Sequence, residues 1–150
     1  MPHVAIALGS NLGNRRANLE AAIDLVLPHL RSALVASFIE TDPMGVGDQP
    51  RFLNGAVVGV AGLPPQALLA RLLAIEEQLG RTRPYWGAPR IIDLDLILYG
   101  ETVLQEPGVQ VPHPRFRERR FVLDPLIEIA PELVDPVTGM TVLQLRAALD

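Results

Sequence analysis

Apolar positions cluster along the chain in two alternating rhythms. Val4 to Leu8 is a continuous apolar run of strand length, and it leads into the turn sequence Gly9-Ser10-Asn11-Leu12-Gly13. Leu19, Ala22, Ile23, Val26, Leu27 and Leu30 then recur at helical spacing, with Pro28 marking the end of that helix. Ala33 to Ile39 predicts a second strand, residues 40 to 52 a long loop, and Leu53 to Ala61 a third strand. Pro64-Pro65 opens a second helix whose Leu68, Leu69, Leu72, Leu73, Ile75 and Leu79 form a broad stripe, and Gly80 ends it. A second long loop runs to Arg90, and Ile91 to Leu98 is a strand interrupted only by two aspartates. From residue 101 onward the pattern predicts a small hairpin, irregular segments punctuated by proline, and a closing helix from about Val142.

The order is β-α-β-β-α-β. Ile39 to Leu53 contains no helix that could carry a parallel crossover, so the expected fold class is α+β. It is a ferredoxin-like antiparallel sheet with its helices on one face and a C-terminal extension, and residues 1–150 form one domain. Both long loops lack periodicity, and loops of that length in a compact domain are usually functional or disordered.

Composition narrows the chemistry. The chain has 150 residues, a formal charge of −4 and no cysteine, and all 13 basic residues are arginine. Thiol catalysis, cysteine zinc sites, Schiff-base chemistry and lysine-based phosphate loops are excluded. The N-terminus has no basic segment ahead of an apolar run, and no apolar stretch approaches the ~20 residues that span a bilayer. A cytoplasmic monomer with no membrane partner is expected. An acidic pI near 5.3 and few aromatics argue against a nucleic-acid surface. A ferredoxin-like RNA-binding module in particular would need exposed strand aromatics, which neither Leu53 to Ala61 nor Ile91 to Leu98 provides.

Asp93 and Asp95 alternate in the last strand, so both carboxylates point to one face while Leu94 and Leu96 point to the other. At a separation of about 6.5 Å they repel by roughly 2–3 kcal/mol at an effective dielectric near 20, and a divalent cation would reverse that cost. Oxygen donors without His or Cys favour Mg2+; a solvated strand face would also carry such a pair. Seven of the 13 arginines fall between Arg81 and Arg120: Arg81, Arg83, Arg90, Arg115, Arg117, Arg119 and Arg120. Carboxylates among several guanidinium groups suit a polyphosphate, although surface ion pairing explains any single arginine equally well. Glu76 and Glu77 sit at the unfavourable end of the helix dipole, and His113 is held between two prolines beside the arginines. Thr41 to Asn54 combines flat apolar surface with an amide, and Phe52 or Phe121 could stack on a planar heterocycle.

Five segments in order resemble the 6-hydroxymethyl-7,8-dihydropterin pyrophosphokinase family. They are Gly9-Ser10-Asn11-Leu12-Gly13, Asp48-Gln49-Pro50 through Phe52-Leu53-Asn54, Pro89-Arg90-Ile91-Ile92-Asp93-Leu94-Asp95-Leu96, Val111-Pro112-His113, and Arg119 to Phe121. The resemblance implies transfer of the terminal diphosphate of ATP to the pterin hydroxymethyl group, giving AMP and the pterin diphosphate in folate biosynthesis. It implies Asp93 and Asp95 as ligands of two Mg2+ ions, and Arg81 and Arg83 as catalytic arginines. Glu76, Arg81, Arg83, Trp86, Arg90, Leu96, His113 and Arg119 match ATP positions. Thr41, Pro43, Met44, Phe52, Asn54 and Phe121 match the pterin pocket. The segment holding Arg81, Arg83 and Trp86 matches a lid. This chain departs from the family pattern in one extra residue between Trp86 and Arg90, and in Pro84, Pro114 and Asp42.

Overall fold

The structure is a computed structural model and describes residues 2–42, 50–80 and 90–149. A sheet of order β2-β4-β1-β5 forms its centre, from β1 (His3–Ser10), β2 (Leu30–Val35), β4 (Phe52–Ala61) and β5 (Asp93–Tyr99). The short β3 (Ile39–Thr41) pairs with the start of β4, and every pairing is antiparallel. Helix α1 (Arg15–Val26) follows β1, capped by the Asn14 side chain, which accepts from the Ala17 N–H at 3.1 Å. A 3-10 turn at Leu27–His29 ends it where Pro28 was expected to. Helix α2 (Pro65–Gln78) precedes β5. The hairpin β6 (Leu104–Glu106) and β7 (Val109–Val111), then α3 (Arg120–Ile129) and α4 (Val142–Ala147), complete the chain.

The β-α-β-β-α-β order and the antiparallel sheet are present, with two corrections. The strand expected over Ala33 to Ile39 is two strands with a break between them. Ser32 adopts a positive φ of 53° where the β2–β4 register slips by one residue. Gly59 lies opposite, where a Cβ would stand 3.1 Å from the Arg31 carbonyl, so a glycine is what lets the bulge close. Past β2, the Ser37 N–H and hydroxyl both donate to Glu128 on α3, at 3.0 and 2.9 Å, and leave the ladder.

The second correction concerns the layers, because helices cover both faces of the sheet. Val4, Ile6 and Leu8 of β1 face a core shared with α1 and α2, whereas Ala5 and Ala7 face a second core built with α3 and α4. Helix α3, within the stretch expected to be irregular, buries Val122, Leu123 and Leu126 there and tolerates Pro125 in its interior. β1 is buried along nearly its whole length as a result. No helix among the described residues is long and apolar enough to cross a membrane.

Candidate active site

The site forms where β1, β4 and β5 present their ends on the α3 side of the sheet. Asp93 lies opposite Gly9 and Asp95 opposite Ala7, a residue of the second core, while Leu94 and Leu96 are buried against α2. The two carboxylates therefore share one face, as the alternation predicts. Beyond them the register slips at Ile97, so Ile97 and Leu98 both pack into the second core. The freed geometry has a use: the Ile97 carbonyl accepts from the His113 N–H at 2.9 Å and fixes the following turn to β5.

Gly9 opens the space between the two halves of the site. Its partner on β4 is Asn54, and a Cβ at Gly9 would stand 3.1 Å from Asn54 Oδ1 and 3.5 Å from the Phe52 ring. Asn54 is buried and donates through Nδ2 to Thr41 Oγ1 at 2.5 Å, across the β3–β4 pairing. Phe52 lies two residues earlier on the same face. The Arg90 guanidinium stands 5.7 Å from the Phe52 ring centre and donates from Nη1 to Asp93 Oδ2 at 2.8 Å. Arg90 thus spans from the aromatic side of the site to the carboxylate side. Its Nε is buried with no hydrogen-bond partner among the described residues, a donor that a bound anion could satisfy.

On the far side of Asp95 lie His113 and Arg119. Burial pushes the His113 imidazole below its ordinary value and the Arg119 and Arg115 charges push the same way, against the opposing pull of Asp95. Nδ1 of His113 accepts from the Arg115 N–H at 3.2 Å, which leaves the proton of the neutral ring on Nε2. Arg119 is lowered by burial too; Asp95 works against that, while Arg115 and Arg90 add to it. Its guanidinium lies 5.6 Å from the Phe121 ring. Phe121 and Thr41 border an open cavity of about 290 Å³ that Glu118, Arg120 and Leu149 also line.

Besides Asn54, two more expected residues take buried positions. Glu76 accepts from the Leu94 N–H at 2.6 Å, so α2 covers the outer edge of β5 with a carboxylate. Leu96 has its side chain in the first core. Pro43, Met44, Arg81, Arg83 and Trp86 lie outside the described residues. Sequence reasoning missed Asn11 as a site-building residue. It is buried, its Oδ1 accepts from the Arg90 N–H at 2.7 Å, its own N–H donates to the Arg90 carbonyl at 3.0 Å, and its Nδ2 donates to the Pro50 carbonyl at 3.3 Å. An amide in a glycine-rich turn directly after a buried strand was the available signal.

Hard-oxygen donors beside guanidinium groups on one side, and a stacking and amide surface on the other, suit a polyphosphate next to a planar ring. Comparisons with known proteins give the family. The family model for 7,8-dihydro-6-hydroxymethylpterin-pyrophosphokinase (HPPK) matches residues 5–131. The 2-amino-4-hydroxy-6-hydroxymethyldihydropteridine pyrophosphokinase of Pseudomonas aeruginosa is 44% identical over 132 residues, covering 87% of this chain and 82% of that protein. Its Bacillus subtilis namesake is 43% identical over 136 residues, covering 89% and 81%. The Pneumocystis carinii folic acid synthesis protein fol1 is 40% identical over 140 residues, and this chain covers 19% of its length. Among solved structures, Plasmodium falciparum HPPK-DHPS superimposes with a TM-score of 0.79 at 15% identity, over 98% of this chain and 44% of that one. The chain belongs to the HPPK family.

Proposed function

We propose that this chain transfers the terminal diphosphate of ATP to the hydroxymethyl group of 6-hydroxymethyl-7,8-dihydropterin, giving AMP and the pterin diphosphate, with two Mg2+ ions held through Asp93 and Asp95. The observation that carries the reading is the shared face of those carboxylates, with Arg90, His113 and Arg119 gathered about them and Asn54, Phe52 and Thr41 across the gap at Gly9. The donor set fits magnesium. Among the described residues no third His, Cys, Asp or Glu joins the pair to complete a protein-only cage. Mg2+ commonly uses one or two carboxylates and takes its remaining ligands from phosphate and water. Bound there, the ions would neutralise charge on the transferring phosphates.

The protein's own groups do the rest by position. Asn54, oriented by Thr41, can both donate to and accept from the edge of a pterin, and Phe52 and Phe121 offer ring faces. The pterin oxygen attacks the β-phosphorus; the bond from that phosphorus to the α-phosphate oxygen breaks, AMP leaves, and the hydroxyl proton passes to water. Arg90 and Arg119 hold the charge that spreads over the phosphoryl oxygens, and the His113 Nε2–H donates to one of them. Leu96 contributes through its main chain, and Glu76 acts by fixing β5. Arg81 and Arg83 are assigned to the same transfer, and Trp86 to the nucleotide side, on family resemblance alone; Pro43 and Met44 join the pterin side on the same ground.

The deciding experiment mixes ATP and the reduced hydroxymethylpterin with the full chain, with and without Mg2+, and identifies the nucleotide product. AMP that requires Mg2+ is the expected result. ADP, or turnover unaffected by a chelator, overturns the reading.

A further inference from the structure

We infer that Arg115, outside the set of residues that the family resemblance assigns, is a further cationic grip for the polyphosphate tail of the nucleotide. The inference rests on the proposed function and names a further residue of that site.

The turn that carries Arg115 is pinned on both sides. Upstream, the His113 N–H donates to the Ile97 carbonyl at the bulge of β5, and the Arg115 N–H donates back to the His113 ring at 3.2 Å. Downstream, Phe116 is fully buried in the second core, and Arg117 makes a two-point ion pair with the buried Asp135 at 2.5 and 3.0 Å. Arg115 itself is exposed between these anchors, so a rigid turn displays its side chain.

Charge accounting then singles it out. Arg90 is paired with Asp93, Arg117 with Asp135, and Arg119 feels the opposing charge of Asp95. Arg115 makes no ion pair with any described carboxylate, yet its charge reaches both His113 and Arg119. Glu118, the other acid in this corner, acts on Arg119. A surplus cation held near the Arg119 charge and beside the neutral His113 ring costs energy, and a phosphate oxygen placed between the two guanidinium groups relieves it. Intramolecular pairing, the ordinary role of a surface arginine, has no partner here among the described residues.

An exposed arginine of this kind acts on binding in the ground state. Most of its effect should appear in the KM for ATP and little in kcat, and the effect should weaken with salt. Inorganic triphosphate with Mg2+ is the probe that separates this from the pterin reaction. Its binding to the full chain is measured by calorimetry at several ionic strengths for the wild type and for Arg115→Lys, Arg115→Ala and Arg115→Glu. Arg115→Ala is expected to weaken binding by about three- to tenfold and Arg115→Glu by more, with a shallower dependence on salt, whereas Arg115→Lys stays within about threefold of wild type. The KM for ATP should follow the same order, with the KM for the pterin unmoved. Wild-type triphosphate affinity and salt slope in Arg115→Ala overturn the inference, as does a loss confined to kcat. Wild-type conversion of ATP to AMP with all three variants binding normally defeats only the role of Arg115. Triphosphate binding that depends on Arg115 in a protein making no AMP defeats only the reaction.

Discussion

Asp95 faces a basic residue on each flank and a second carboxylate along its own strand, so its charge is the pivot of the site. It opposes the depression of both His113 and Arg119. Asp93, by contrast, is already tied to Arg90. Asp95→Asn keeps the volume and removes the charge. We expect kcat to fall by at least two orders of magnitude, a barrier increase of several kcal/mol, because the proposed function places hard-ion binding beside the β-phosphorus on that carboxylate. The fold should tolerate the change, since the side chain is only partly buried and like-charge repulsion along β5 is relieved. Steady-state kinetics and a thermal melt check both halves. Near-normal turnover with Mg2+ would remove Asp95 from the metal site. At this scale the sequence was highly legible: strand alternation alone puts the two acids on one face, and register confirms it. The main omission was Asn11, whose importance comes from contacts 39 and 79 positions away that no local pattern can show.

Those contacts matter at the level of elements. Asn11, in the turn after β1, holds Pro50 at the approach to β4 and Arg90 at the approach to β5, so one side chain sets the spacing between the aromatic and carboxylate sides. Asn11→Ala leaves the Arg90 N–H and the Pro50 carbonyl, both in partly buried hydrogen bonds, without their side-chain partner, at a cost of about 1 kcal/mol. The expected outcome is a lower urea midpoint together with a rise in KM for both ATP and the pterin. A change confined to one substrate would show that the two strand approaches are positioned independently. Element boundaries were less legible than residue roles, for physical reasons. β2 and β3 were expected as one strand because Ala33 to Ile39 is largely apolar, but the bulge at Ser32 and the capture of Ser37 by Glu128 are tertiary events. α3 was hidden by its prolines. Phe121, Val122, Leu126 and Ile129 do recur at helical spacing, and Pro125 in the middle of this short helix removes only one main-chain donor.

For the molecule as a whole, covering the second sheet face is what turns a βαββαβ sheet into a site. α3 and α4 close over Ala5, Ala7 and Ala56, and the segment before α3 delivers His113 and Arg119 to Asp95. That segment is locked to the chain end by Asp135, which is fully buried and accepts from Arg117, from Thr138 Oγ1 at 2.8 Å and from the Val137 N–H at 3.1 Å. Burial by itself would raise the Asp135 carboxyl, but the hydrogen bonds from Arg117, Thr138 and Val137 outweigh it and hold the group below its ordinary value of 3.8. A carboxyl depressed in the folded state contributes stability that is complete above the unfolded value and is lost as pH falls through the folded one. Asp135→Asn, which cannot ionise, should therefore be less stable than wild type by about 3 kcal/mol at pH 7, where it breaks a buried ion pair. The deficit should begin to shrink as pH falls past the unfolded value of 3.8 and close as it passes the lower folded-state value, where the carboxyl of the folded wild type also becomes neutral. Urea unfolding of both proteins from neutral pH down to about pH 2 measures the gap directly. A deficit that stays constant over that range would mean Asp135 acts by shape and hydrogen bonding alone, and that its charge does not hold the C-terminal layer against the sheet.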